Sequence, residues 1–402
     1  MTGFLPYGRQ YIDDADVAAV AAVLKGDWLT TGPAVEKMEA ALAAAVQAPH
    51  AVACNSGTAA LHLAALALGL GAGDTALVPA ITFMASANAA RYVGAEVAFV
   101  DVDPATGLSF PAHFEAALAR APGAVKAAFP VHYAGRCADP AGLADFAARH
   151  RVDVVEDACH ALGTVYDVGG HSFAVGSGAH ARLCAFSFHP VKTIAMGEGG
   201  AVTTRDADLA ARMARLRSHG IERDPARFVD RTAGFAADGT ANPWYHELSE
   251  LGFNYRASDL NCALAESQLR KLPFFSARRR ALAARYDALL APLSNVVRPL
   301  ANVAGCAPVL HLYAVSIDFL AVDLDRARAM AELKARGVGT QVHYIPVHRQ
   351  PYYRARYGDV SLPGAEAFYA RCLSLPLFVG MADSDVDRVV AALVDVLGRA
   401  GS

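Results

Sequence analysis

Three short segments of this chain carry residue types whose order and spacing suit one kind of chemistry. The first, Cys54-Asn-Ser-Gly-Thr58, leaves an apolar run of strand length and opens a helical pattern. Free backbone N–H groups and the positive end of a helix dipole would meet an anion there, although Ser56 would serve equally as a plain N-cap. The second, Val154-Val-Glu-Asp-Ala-Cys-His160, sets Asp157 at the C-terminal end of another apolar run. An ionised carboxylate in such a setting needs a cation or several donors, unless it merely caps the next helix. The third, Phe186-Ser-Phe-His-Pro-Val-Lys192, places Lys192 among apolar neighbours just before the glycine-rich stretch Gly197-Glu-Gly-Gly200. A lysine in a partly dry pocket near another cation has its amine pKa lowered, as Schiff-base chemistry requires.

A phosphate cradle, a buried carboxylate and a half-buried lysine, in that order and each at the end of a candidate strand, match the needs of pyridoxal 5′-phosphate. Its phosphate wants a helix N-terminus, its pyridinium nitrogen an Asp, and its aldehyde a lysine. Gly69-Leu-Gly-Ala-Gly73 imitates a dinucleotide fingerprint, but it follows a helix and precedes a strand, the reverse of the required context. It reads as a turn, and a nicotinamide dehydrogenase is the weakest of the rival readings.

These residues must be held by a sheet. Candidate strands are 51–54, 76–79, 97–101, 125–131, 152–157, 182–187 and 201–204, most of them apolar throughout. Continuous apolar runs mark strands covered on both faces, and helical patterns at 58–68, 85–93 and 143–150 lie between them. An earlier helix spans 13–24, capped by Asp13 and stopped by Gly26, with Val17, Val20, Ala21 and Leu24 on one face. The expected fold is α/β, with an open, mostly parallel sheet. After a helix at 206–219 comes an aperiodic stretch, 221–251, read as a surface loop. Helices at 258–272, 276–290 and 325–335 and strand-like runs at 310–317 and 340–345 complete the pattern. They suggest a large domain over 1–290, including an N-terminal arm, and a small α+β domain over 291–402.

Composition narrows the function classes. The 402 residues carry 36 basic and 39 acidic side chains, are 54% hydrophobic, and are only 19% charged. That excludes a disordered chain, and scattered Lys and Arg give no electrostatic footprint for nucleic acid or an anionic membrane. No export signal or membrane-spanning run is expected. Seven cysteines without a C-x-x-C pair read as reduced core residues of a cytoplasmic protein.

The ordered set of segments resembles the DegT/DnrJ/EryC1/StrS sugar-nucleotide aminotransferases, fold-type-I pyridoxal-phosphate enzymes, from Tyr7 to the last helix. It comprises Leu29-Thr-Thr-Gly-Pro33, Asn55-Ser-Gly-Thr-Ala-Ala-Leu61, Thr82-Phe-Met-Ala-Ser-Ala-Asn88, Glu156-Asp-Ala-Cys-His160, Ser187-Phe-His-Pro-Val-Lys192, Gly252-Phe-Asn-Tyr-Arg256 and His343-Tyr344. The resemblance implies a seven-stranded sheet between helices and a covalent link between Lys192 and the cofactor, with Lys192 also moving the proton. It implies that Asp157 pairs with the pyridinium, that Gly57, Thr58 and Ser187, with Ser56 beside them, hold the phosphate, and that Phe83 stacks on the ring. His160 stands where Gln is commoner in the family and would reach the ring's phenolic oxygen.

Asn254 would reach the phosphate of a neighbouring subunit, which implies a homodimer with shared sites, and the stretch 221–251, with Trp244, Tyr245 and His246, would fold over the partner's site. Substrate contacts would come from Tyr7, Thr30, His189, Arg256, His343 and Tyr344. Within the family, Val342-His-Tyr-Ile-Pro346 and the segments around Asp157 and Lys192 look most like enzymes of pseudaminic-acid-type biosynthesis. Those aminate C4 of a UDP-4-keto-6-deoxy-N-acetylhexosamine with L-glutamate. GDP- or dTDP-linked keto sugars are the alternative substrates. A pyridoxamine-dependent sugar dehydratase, which has His in place of the lysine, and a non-catalytic binding protein are the remaining rivals.

Overall fold

In the computed structural model, which describes residues 3–398, nine strands precede residue 205. They are β1 (His50–Cys54), β2 (Asp74–Pro79), β3 (Glu96–Val100), β4 (Ala124–Ala128), β5 (Asp153–Asp157), β6 (Val165–Val168), β7 (His171–Ala174), β8 (Leu183–Ser187) and β9 (Gly200–Thr204). Seven of them form one sheet in the order β1-β9-β8-β5-β4-β2-β3, matching the seven apolar runs to within a few residues. β8, β5, β4, β2 and β3 run parallel, whereas β9 is antiparallel to both β1 and β8. Such strands are apolar throughout because helices cover both faces and leave no solvated side. The run from 125 leaves the ladder after Ala128, and only Val131 bridges back to Asp157.

Four helices matter to the site: α1 (Asp14–Leu24), α2 (Pro33–Val46), α3 (Gly57–Ala67) and α4 (Ala85–Tyr92). α3, sequence GTAALHLAALA, is buried along almost its whole length and lies against β8 and β9. The Gly69–Gly73 stretch is the turn from α3 to β2, with Gly69 and Gly73 in the left-handed region. α1 is capped by Asp13 as expected, but its apolar face is outward: Val17 and Leu24 are exposed. The buried residue is Asp16, whose carboxylate accepts hydrogen bonds from Ser267 and Gln268 and pairs with Lys271. That polar anchor fixes the helix's rotation.

The later chain builds a second core. Val297–Pro299, Tyr313–Ile317 and Cys372–Leu375 form a small antiparallel sheet. It packs with Leu282 and Tyr286 of the helix Leu272–Leu290 and with Val386, Val389 and Leu393 of the helix Asp383–Gly398. Leu5 of the N-terminal arm joins this cluster, tied by backbone hydrogen bonds to Gly337 and Gly339. The strand expected at 340–345 does not form; Gln341 alone bridges to Ser374, and Ile345 is exposed. The 221–251 stretch is a loop with a two-residue ladder between Ile221–Glu222 and Glu247–Leu248. Trp244, Leu248 and Leu251 are exposed on it. Among the described residues no helix is long and apolar enough to cross a membrane.

Candidate active site

The C-terminal ends of β1, β5 and β8 and the start of β9 lie at one sheet edge, since Cys54 pairs with Gly200, Gly200 with Ser187, and Asp157 with Ala185. Ligands of open α/β sheets bind at this edge. At the end of β1, Ser56 caps α3 by accepting from the Ala59 N–H at 3.1 Å. The N–H groups of Gly57 and Thr58 have no acceptor among the described residues, so they face outward as an anion cup. Its walls touch closely: a Cβ on Gly57 would lie 2.7 Å from the Ser187 Cβ, and one on Gly200 would lie 2.4 Å from the Ser56 carbonyl oxygen. Two glycines thus let β8 and β9 press against the first turn of α3.

Asp157 is buried at the end of β5, and its carboxylate is held from two sides. Oδ1 accepts from the Cys159 N–H at 3.2 Å, and Oδ2 accepts from the Ser86 hydroxyl at 2.5 Å. Ser86, on α4, is 2.7 Å from the Thr82 hydroxyl. Since an ionised carboxylate only accepts, Ser86 donates to Asp157 and accepts from Thr82. The carboxylate is therefore fixed at the sheet edge, hydrogen-bonded but with no Lys or Arg in ion-pair contact among the described residues.

Lys192 follows β8 in a turn closed by its own N–H to the His189 carbonyl at 2.8 Å. Its side chain makes no hydrogen bond or ion pair among the described residues. Burial pushes its amine below the ordinary lysine value, and the nearby Cys159 and Asp157 oppose that shift. A lysine that is uncharged more readily than most, within electrostatic reach of a fixed carboxylate, is equipped for nucleophilic and proton-transfer work.

A cluster of rings faces the lysine. His160 Nδ1 accepts from the Ala134 N–H at 3.3 Å and Nε2 lies 2.9 Å from the Tyr344 hydroxyl oxygen. Because Nδ1 accepts, the neutral imidazole carries its proton on Nε2 and donates it to Tyr344, which frees the tyrosine's own proton for another acceptor. Burial, Lys192 and His343 hold His160 well below the ordinary histidine value, so it stays neutral. Both its nitrogens are engaged, which makes Tyr344 rather than His160 the group with a proton to offer. His343 bonds Ser374 through Nδ1 at 2.9 Å, its carbonyl accepts from the Tyr133 hydroxyl, and burial with Lys192 pushes its imidazole down to about 3. The Tyr7 ring lies 5.4 Å from His343 and the Phe83 ring 6.1 Å from Tyr344. Phe83 is 53% exposed, an aromatic face left open at the mouth of the site.

Of the residues singled out in the sequence, Lys192, Asp157, His160, His343, Tyr344, Phe83 and Tyr7 thus converge, and Ser56, Gly57, Thr58 and Ser187 form the cup beside them. Four others make no side-chain contact with this group among the described residues, although the His189 N–H lies 3.5 Å from the Ser187 hydroxyl. His189 is exposed and contributes its carbonyl; Thr30 is exposed and bridges to Ser258. Asn254 is exposed, its carbonyl near the Asn55 amide, and Arg256 keeps a buried Nε without a partner among the described residues. Ser86 and Thr82 carry the carboxylate, and their only sequence signal is their place in the segment around Phe83. His311 is buried with its ring 4.5 Å from that of His160, and no motif in the sequence marks it.

A lysine, a braced carboxylate and a helix-end anion cup, gathered on a parallel sheet with one reversed strand, define the fold-type-I class of pyridoxal-phosphate enzymes. The chain belongs to the DegT/DnrJ/EryC1/StrS aminotransferase family, whose model matches residues 10–394. Among solved structures it is similar to Helicobacter pylori PseC, an aminotransferase involved in the biosynthesis of pseudaminic acid, at 26% identity and a TM-score of 0.87, over 98% of this chain and 100% of that one. It is also similar to the aminotransferase TlmJ from Streptoalloteichus hindustanus, at 30% identity and a TM-score of 0.87, over 99% and 100% of the two chains. A third is Spr1654 from Streptococcus pneumoniae in its PLP form, at 26% identity and a TM-score of 0.86, over 99% of each chain. The same protein in its PMP form matches at 27% identity and a TM-score of 0.85, over 98% of this chain and 100% of that one.

Proposed function

We propose that this sugar aminotransferase moves the amino group of L-glutamate to C4 of a UDP-4-keto-6-deoxy-N-acetylhexosamine, in pseudaminic-acid-type sugar biosynthesis. The observation that carries the reading is the Lys192 amine, unpartnered among the described residues, within electrostatic reach of the braced Asp157 carboxylate at the edge that also holds the anion cup. The likeness to PseC supports the choice of sugar.

The residues present fit pyridoxal 5′-phosphate. The cup would take its phosphate on the Gly57 and Thr58 N–H groups and the Ser187 hydroxyl, Asp157 would face the ring nitrogen, and Phe83 would cover the ring. Bound there, the cofactor supplies an aldehyde that captures amino groups and a ring that withdraws electrons. Asp157 would favour the protonated ring nitrogen. The Lys192 amine would take the proton from the amino donor's Cα as general base and deliver it again as general acid, work worth about 10² to 10⁴ in rate. Tyr344 orients an acceptor atom with the proton that His160 leaves free. Tyr7, Thr30, His189, Arg256 and His343 are assigned to the sugar nucleotide and the glutamate.

Two copies would share their sites, with Asn254 of one reaching the phosphate of the other. Exposed Val17, Leu24, Trp28, Leu29, Trp244 and Leu251 support such pairing, since surfaces this apolar are ordinarily covered. Incubation with glutamate and a panel of UDP-, GDP- and dTDP-linked 4-keto sugars, with 2-oxoglutarate release and product mass and NMR as readouts, tests the reading. Amination of the UDP-linked N-acetylhexosamine supports it, and turnover confined to GDP- or dTDP-linked sugars overturns the choice of nucleotide. In Lys192→Ala, cofactor-aldehyde absorbance shifts and turnover stops; normal values of both would refute the role of the lysine.

A further inference from the structure

Away from the reacting groups, Cys137 and Cys306 bring their sulfur atoms to 3.3 Å from loops 169 residues apart in sequence. Cys137 follows the turn Tyr133–Gly135 and is buried, whereas Cys306 is half-buried on the two-residue strand that pairs with β6. The Cys137 thiol and its backbone N–H, at 3.5 Å, both point at the Cys306 sulfur. Beside them Arg136 is 4% exposed, reaches only the Leu300 carbonyl through Nη2, and keeps Nε and Nη1 without partners among the described residues. A buried guanidinium with no ion-pair contact among the described residues favours a negative charge on the neighbouring sulfur, while Glu156, 3.3 Å from His132, opposes one on Cys137.

We propose that Cys137 and Cys306 form a modification site, a preformed dithiol that hydrogen peroxide closes to a disulfide, with Cys306 as the attacking sulfur and Cys137 as the resolving one. The Cys306 thiolate attacks one peroxide oxygen, the O–O bond breaks, and hydroxide leaves a sulfenic acid on Cys306. The Cys137 sulfur then attacks the sulfenic sulfur, an S–S bond forms, and the departing hydroxide takes the Cys137 proton as water. Two thiols are oxidised by two electrons and one peroxide is reduced to two waters. Closing the pair needs the sulfurs to approach by about 1.3 Å, from 3.3 Å to the length of an S–S bond. Hydrogen bonding from Cys137, with His132 and Arg136 nearby, lowers the Cys306 thiol below the ordinary cysteine value, which agrees with this order of attack.

Whole protein treated with peroxide, alkylated and peptide-mapped provides the test. One peptide pair joined through Cys137 and Cys306, two hydrogens lighter than the dithiol and restored by dithiothreitol, is expected. Cys54, Cys159, Cys184, Cys262 and Cys372 should remain alkylatable after unfolding. Cys137→Ser should halt at a Cys306 sulfenic acid captured by a cyclic dione, and Cys306→Ser should leave Cys137 reduced. A linkage to another cysteine, sulfinic acid at Cys306 while Cys137 stays reduced in the wild type, or no change at peroxide levels that oxidise free cysteine would overturn the proposal. The wild-type map decides even if neither variant folds.

Discussion

Replacing Gly57 by alanine tests the geometry of the cup most directly. Gly57 opens α3 with an ordinary backbone angle, so alanine is allowed there and gains up to roughly 1 kcal/mol in helix propensity. Against that gain, the new methyl would sit 2.7 Å from the Ser187 Cβ, 3.1 Å from its Oγ and 3.3 Å from its Cα. Carbon atoms in contact rest near 3.5 to 4.0 Å, and forced overlap in a packed interior costs about 1–3 kcal/mol. Ser187 is held by the ladder to β9, so the first turn of α3 must give way, and that turn carries the N–H groups of the cup. The overlap therefore outweighs the propensity gain. Apoenzyme titrated with pyridoxal phosphate and followed by absorbance should bind about tenfold to a hundredfold more weakly in Gly57→Ala, since about 1.4 kcal/mol is a factor of ten. Ser187→Gly removes the obstructing carbon, and adding Gly57→Ala in that background should cost far less than in the wild type. Binding by Gly57→Ala within about twofold of the wild type, or an equal cost in both backgrounds, would refute the steric account.

Further outcomes follow from the same contacts. Ser86→Ala removes a hydrogen bond to the buried Asp157 carboxylate, a loss of about 1.5–3 kcal/mol, so turnover should fall about tenfold to a hundredfold while Ser86→Thr restores most of it; steady-state kinetics with glutamate decide. Tyr344→Phe leaves the proton on His160 Nε2 without its partner, and the thermal midpoint should drop by the equivalent of about 1–3 kcal/mol together with turnover. His62, buried against Tyr255, is pushed by burial down to about 4. The folded chain then binds fewer protons than the unfolded one between about pH 6.5 and 4, so stability is full above that range and is lost as pH falls through it. The loss from pH 7 to 5 amounts to about 2 kcal/mol, and His62→Gln should narrow the difference in thermal midpoint between those two pH values.

The sheet was readable because its strands are buried on both faces and therefore spell continuous apolar runs, as in Leu77-Val78 and Phe99-Val100. Lys192 and Asp157 were readable because charged residues at the ends of such runs need a reason to be there. Contacts made across long separations were not. Ser86 reaches Asp157 over 71 residues, and nothing in the local pattern of α4 tells its serine from a solvated one. Asp16 likewise turns α1 through partners more than 250 residues away, which overrode the apolar stripe of Val17 and Leu24. At 340–345 the alternation imitated a strand, but Tyr344 is drawn to His160 and the His343 carbonyl to Tyr133, so the backbone leaves the ladder. The β6–β7 hairpin did leave a local trace, since Gly169 and Gly170 both take left-handed angles between its arms, as a two-residue turn demands.

The reversed strand β9 has a bearing on how the protein is made. It is the last of the seven to be synthesised, yet it lies between the first, β1, and β8, with Gly200 against Ser56 and Gly57. A nascent chain emerging from the ribosome can dock β2, β3, β4 and β5 side by side, but β1 has nothing to pair with until residue 204 is free. The cup must then close across about 150 residues, a distant pairing of the kind that slows folding. Cofactor present during synthesis would find its phosphate pocket only after that late insertion.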